Sequence, residues 1–184
     1  MNTPSHWLIQ AGLAKRFKQI KRSAFLWGAV APDIPLYLLS VGGAIYYLLR
    51  GTPLRESLPY MFDTLFYENA YWIALHNLLH SPTMLLLFAA AWWLLRRRSG
   101  RDFHTFIWFI AGCAVHTLVD IPVHHNDGPL LLFPFEWTLR FDSPVSYWDP
   151  EHYGIPFTIF ELALDTALLA YLLTPWFKRK FLRS

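Results

Sequence analysis

Apolar residues gather along the chain into four long stretches separated by short polar or basic segments. They cover roughly residues 24–49, interrupted by APDIP, then 70–95, 103–123 and 155–177. As helices rising about 1.5 Å per residue, all four are long enough to cross roughly 30 Å of hydrocarbon. None is a purely lipid-facing run, because each carries prolines, polar residues or ionisable residues. Over residues 5–20, apolar Trp7, Leu8, Leu13, Phe17 and Ile20 alternate with basic residues. That pattern predicts an amphipathic helix lying on an anionic membrane surface. A weaker pattern over 57–69 predicts a short surface helix on the other side. Segment 124–154, with Asp127, Gly128, prolines and aromatics, predicts an ordered outer loop. The expected fold class is all-α: a polytopic membrane bundle of about four transmembrane helices plus the N-terminal amphipathic helix, in a single domain over 1–184.

Charge gives these stretches a direction. KRFKQIKR (15–22) holds five basic residues, RRRSGR (96–101) four and KRKFLR (178–183) four, so thirteen of the sixteen Lys and Arg lie in three clusters. Segments 51–69 and 124–154 hold one each, Arg55 and Arg140. Four spans put the three basic clusters on one face, and the positive-inside rule makes that face cytoplasmic. The expected location is therefore a bacterial inner membrane, with both termini in the cytoplasm. Only 16% of the residues are charged, against about 25% in a soluble domain, which leaves little solvated surface. The net charge of +3 and its clustering speak for membrane orientation, and no nucleic-acid partner is expected. The lone cysteine, Cys113, excludes an internal disulfide and a Cys-based zinc finger. The first twenty-two residues lack the apolar core of a cleavable signal.

Ionisable residues inside spans are costly and default to a functional reading. His76 and His80 are one helical turn apart, as are His116 and Asp120, and Glu161 and Asp165. Asp33 lies between the two prolines of APDIP. Pro122 ends or bends the third span just after Asp120, and His124 and His125 follow at its outer mouth. Counting helical rise along each span brings these groups to a shared height in the outer half of the bundle. Imidazoles and carboxylates together suit Zn, with Mn or Fe as alternatives. A Zn site with an open position lowers the pKa of its water towards about 7 and makes it a nucleophile.

The motifs SHW (5–7), GAVAPDIP (28–35), HNLLHS (76–81), HTLVD (116–120) with DGPLLLFPF (127–135), and WDPEHYG (148–154) occur in this order. Together they resemble bacterial inner-membrane proteins described as membrane-bound metal-dependent hydrolases. More distantly they resemble the all-helical zinc phospholipase C and P1-type nuclease group. The resemblance implies a helical bundle around a zinc cluster that hydrolyses phosphoesters. It implies Asp33, His80, His116 and Asp120 as metal ligands, with His76 and His124 or His125 as further candidates. His6 corresponds to a histidine at or beside the metal, and Glu161 is a further candidate ligand. In the soluble enzymes the last His and Glu are one turn apart, whereas His152 and Glu161 here are nine residues apart.

The leading expectation is a metal-dependent hydrolase acting on a phosphoester or other ester, with a lipid or lipid-linked molecule as substrate. Asp33 serves as ligand or as the base that orients water, and His124, His125 and His152 lie where a leaving group is protonated. Three other readings use the same residues. One is a b-type haem held by His80 and His116; another is a channel or transporter with a His/Asp relay; the third is a structural span protein whose acids simply pair with its histidines.

Overall fold

The computed structural model describes residues 1–100 and 103–181, with side chains to residue 174. Arg101 and Arg183 of the expected basic clusters lie outside the described residues, as do the side chains of 178–181. Among the described residues there is helix and loop and no strand, in agreement with the all-α expectation. Nine α-helices run α1 (Thr3–Arg16), α2 (Arg22–Val30), α3 (Ile34–Leu49), α4 (Leu54–Pro59), α5 (Phe66–Glu68), α6 (Ala70–Asn77), α7 (Pro82–Ser99), α8 (His104–Asp120) and α9 (Gly154–Phe181). A π-helical turn, Tyr60–Leu65, joins α4 to α5, so that the short helix expected over 57–69 is present in broken form.

The helix ends follow local chemistry. Asn69 caps α6 by accepting hydrogen bonds from the amides of Tyr71 and Trp72. Pro35 and Pro82 sit in the first turns of α3 and α7, where a missing N–H removes no helical bond. Gly100 ends α7 with φ of 63°, a left-handed conformation that suits glycine. Pro122 follows Asp120, and the chain narrows to a single 3-10 turn there.

Two helices, His104–Val123 and Gly154–Thr174, are long and apolar enough to cross a membrane. Two bent pairs qualify when each is counted as one span: α2 with α3, bent by 40°, and α6 with α7, bent by 56°. These correspond to the four apolar stretches of the sequence. The prolines of APDIP and HSP place the bends.

The tightest contact is between α2 and α8. A Cβ on Gly28 would lie 2.4 Å from the Phe109 carbonyl oxygen, and one on Gly112 would lie 2.3 Å from the Phe25 carbonyl oxygen. Only a hydrogen atom fits at either position, so the two backbones touch. Gly43 admits the Met61 sulfur, whereas nothing lies within 4 Å of a Cβ placed at Gly42.

The expected surface-lying α1 departs from that picture. It packs against α2, α8 and α9 and buries Ser5, His6, Gln10, Ala11 and Gly12, while Trp7 and Phe17 stay exposed. The inward face is small and polar because it meets backbone and carboxylates: the Gln10 amide donates to the Gly112 carbonyl at 2.8 Å. Buried polar side chains are as numerous as buried apolar ones. Large apolar residues such as Leu38, Leu49, Leu86, Ile159, Phe160 and Leu162 point outward.

Gly28→Ala and Gly112→Ala will each lower the thermal unfolding temperature in detergent, at a cost of about 1–3 kcal/mol from overpacking. Gly42→Ala, with open space around it, will leave the temperature unchanged or raise it slightly.

Candidate metal centre

Asp33, His80, His116 and Asp120 come together from three separate parts of the chain. His80 lies in the bend between α6 and α7, Asp33 in the bend between α2 and α3, and His116 and Asp120 in the last turns of α8. His80 Nε2 and His116 Nε2 are 3.1 Å apart. Asp33 Oδ1 is 3.4 Å from each of them. Asp120 Oδ2 is 3.0 Å from His116 Nε2 and 3.8 Å from His80 Nε2.

The far nitrogens decide what the near ones can be. His80 Nδ1 lies 2.9 Å from the His76 carbonyl oxygen, and His116 Nδ1 lies 2.8 Å from the Ala29 carbonyl oxygen. A carbonyl only accepts, so each Nδ1 carries a proton, and each ring when neutral presents its lone pair at Nε2. Two lone pairs and two carboxylates then face a common point. Such an arrangement suits a cation, and a carbonyl on the far nitrogen is the usual way of orienting a metal-ligating histidine.

Two groups of side chains could hold an ion: Asp33, His80 and His116, and His6, His116 and Asp120, each with ligand atoms within 4.8 Å of one another. His6 reaches the second group because α1 turns its polar face inward. Its Nε2 is 2.9 Å from Asp120 Oδ1, and its ring stacks on His116 with centroids 3.7 Å apart. The backbone nitrogen of Met1 also contacts Asp120 Oδ1, at 2.8 Å.

The other candidates lie around this cluster. His124 Nε2 is 3.5 Å from Asp120 Oδ1, and His124 Nδ1 is 3.1 Å from Asp127. His76 stacks obliquely near His80, with centroids 4.5 Å apart, and belongs to neither ligand group. Glu161 is buried, but both of its oxygens accept from Asn2, from the backbone N at 2.8 Å and from Nδ2 at 2.7 Å. One turn along α9, Asp165 accepts from Ser5 at 2.8 Å. This acidic pair therefore holds the start of α1. His125 faces the outer loop, with Nδ1 2.6 Å from the Ser143 carbonyl oxygen and its ring stacked 3.6 Å from His152.

Other contributors carried no signal in the sequence. The Thr3 hydroxyl donates to Asp33 Oδ2 and lies 2.8 Å from the Tyr37 hydroxyl. Nothing in a Thr and an Asp thirty residues apart announces that contact. Tyr147 packs on His124 with ring centroids 4.8 Å apart.

Two cavities open from the cluster. A cavity of about 330 Å³ is lined by Asp33, His76, His80, Asp120 and His124, among others. A larger one, about 740 Å³, is walled by Phe62, Phe66, Tyr67, Tyr147 and Trp148. At their junction, burial pushes the His124 imidazolium towards losing its proton, but the Asp120 and Asp127 carboxylates that it faces outweigh this and raise its pKa. Burial likewise pushes Asp127 up, yet His124 holds it below the usual carboxylate range.

A model of the zinc-dependent phospholipase C family matches residues 5–181. The chain belongs to that family. The match begins at SHW and extends beyond WDPEHYG, so it covers all the motifs that carried the resemblance. No curated protein and no solved structure matches the chain. As a member of the zinc-dependent phospholipase C family, the chain has His and Asp groups suited to zinc, and family membership suggests a metal-dependent phosphoesterase.

The outer loop near this centre carries its own pH dependence. The His152 imidazole, then the Glu151 amide, hold the Asp149 carboxyl below its ordinary range. A depressed folded value contributes stability above the ordinary carboxylate range, which is lost as pH falls below it. Trp148 fluorescence will therefore report loosening of the loop on acidification. In Asp149→Asn that acid-dependent change will shrink, with the loop looser already at neutral pH.

Proposed function

We propose that the protein is a zinc-dependent phosphoesterase embedded in a bacterial inner membrane. The observation carrying this reading is the tautomer constraint on His80 and His116, whose Nδ1 atoms each face a carbonyl oxygen and whose Nε2 atoms converge with Asp33 and Asp120. The proposed ligands are Asp33, His80, His116 and Asp120, with His6 completing the second group. Zinc held there supplies a water of lowered pKa and a positive charge for a developing oxyanion.

The chain's own groups divide the remaining work. Asp33, with Oδ2 held by Thr3 and Oδ1 towards the imidazoles, orients the attacking water. His124, fixed between Asp120 and Asp127 at the cavity wall, holds a proton for the leaving oxygen. His125 is tied to the loop and lines neither cavity, so its role is to support that loop. Glu161 acts through Asn2 to hold α1 rather than as a ligand. The haem reading fits poorly, because Nε2 atoms 3.1 Å apart with acid oxygens around them leave no plane for a porphyrin.

Two apolar helices and two bent pairs support the membrane reading, together with basic clusters that the sequence sets before the first, between the second and third, and after the last of them. The outward-facing leucines, isoleucines and phenylalanines point the same way. In this topology the centre lies in the outer half of the bilayer, which suits a lipid or lipid-linked phosphoester.

Purified protein will contain zinc by elemental analysis. His116→Ala and Asp120→Ala will lose most of it, and hydrolysis of a chromogenic phosphodiester will fall at least about 100-fold. Zinc retained in both variants would remove the assigned ligands. For the topology, a single cysteine is introduced in a Cys113→Ser background. Arg98→Cys will react with an impermeant maleimide only from the cytoplasmic side, and Asp142→Cys only from the outside.

A further inference from the structure

The two cavities meet at a neck, and the neck has its own chemistry. Six residues line both: Leu36, Phe62, His76, His124, Asp127 and Tyr147. The ligand residues Asp33, His80 and Asp120 line only the smaller one. Among the six shared residues, Leu36 and Phe62 are apolar, and His124 Nδ1 and Asp127 Oδ1 face each other as an ion pair at 3.1 Å without a directed hydrogen bond. Outside that ion pair, His76 and Tyr147 are the polar side chains of the neck. His76 is 7% exposed, and its Nδ1 has no hydrogen-bond partner among the described residues. Buried polar atoms without partners are rare in native proteins and concentrate where a ligand supplies the missing bond. Tyr147 is half-buried, and its hydroxyl has no hydrogen-bond partner among the described residues.

From this arrangement we infer that His76 and Tyr147 are substrate-contacting groups that grip a phosphoryl oxygen at the neck between the metal centre and the aromatic cavity. The inference rests on the phosphoesterase reading and adds the place and the donors. A phosphoester with its phosphorus at the ligands and its substituent among Phe66, Tyr67 and Trp148 must pass this neck. A neutral imidazole and a phenol each offer one hydrogen to such an oxygen. Neither group changes protonation in this role. His76 is thereby a substrate group one layer outward from His80, which explains why two histidines one turn apart on the chain do not enter the same ligand group.

The test is calorimetric titration of inorganic phosphate into the zinc-loaded, detergent-solubilised protein, with zinc content measured on the same samples. Tyr147→Phe and His76→Ala will keep the wild-type zinc content and will each bind phosphate about tenfold more weakly. A tenfold loss matches one hydrogen bond to a charged group. His76→Gln, which keeps an N–H donor, will recover part of the affinity, whereas a purely structural role would give no such recovery. Tyr147→Phe keeps the ring in place, so its result stands even when His76→Ala fails to fold. Loss of zinc in His76→Ala would overturn the inference by making His76 a ligand. Unchanged phosphate affinity in Tyr147→Phe and His76→Ala, with zinc retained, would overturn it while leaving the phosphoesterase reading intact. Wild-type protein that takes up no zinc would overturn both.

Discussion

Two imidazole nitrogens and two carboxylates gathered at one buried point call for positive charge among them. The Nε2 atoms point there because each ring's other nitrogen is held by a carbonyl oxygen, of Ala29 for His116 and of His76 for His80. Both carbonyls lie in the last turns of broken helices, α2 and α6, where carbonyls have no partner further along the helix. The breaks that spoil two of the apolar stretches as continuous spans are therefore what build the centre. One break supplies the Ala29 carbonyl and places Asp33; the other supplies the His76 carbonyl and places His80. In the proposed membrane setting, such irregular backbone is tolerated because it lines a cavity inside the protein.

Around this centre the usual division of residues is inverted. Ser5, His6, Gln10, Asn77, Thr117 and Glu161 are buried, and large aliphatic and aromatic side chains face outward. Burying so many polar groups is costly unless they are paired, and most are. Asn77 donates to the Ile73 carbonyl and accepts from the Leu130 amide, and Thr117 donates to the His80 carbonyl at 2.9 Å. These bonds connect α6, α8 and the outer loop. Glu161 and Asp165 draw the start of α1 against α9, and that contact brings His6 to Asp120. The close approach of Gly28 and Gly112 sets the distance at which the Ala29 carbonyl can reach His116. Helix packing, polar satisfaction and ligand placement depend on the same few contacts.

Much of this was legible in the sequence. One-turn spacing announced His116 with Asp120, and the paired prolines of APDIP marked Asp33 as a charged residue in a break. Apolar runs gave the four helical units. Less legible was anything that depends on which face of a helix turns inward. Residues 5–20 have an apolar pattern, yet their inward side is the Ser5, His6 and Gln10 face, because α1 meets carboxylates and a glycine backbone there. His76 and His80 share a spacing that suggests equal roles. The bend at Leu78–Ser81 puts only His80 in a ligand group. Glu161 was read by analogy as a ligand, but its partner, Asn2, lies at the far end of the sequence, and no periodicity connects the two. Thr3 and Tyr37 at Asp33, and Tyr147 at His124, are tertiary contacts of the same kind.

The central claim is that these nitrogens and carboxylates surround a zinc ion, and X-ray absorption at the zinc edge of the purified protein tests it most directly. The account predicts a first shell of nitrogen and oxygen only, at about 2.0–2.1 Å, with the outer-shell scattering of at least two imidazoles and no sulfur. A sulfur shell near 2.3 Å, a shell without imidazole, or protein that takes up no zinc from solution would contradict it.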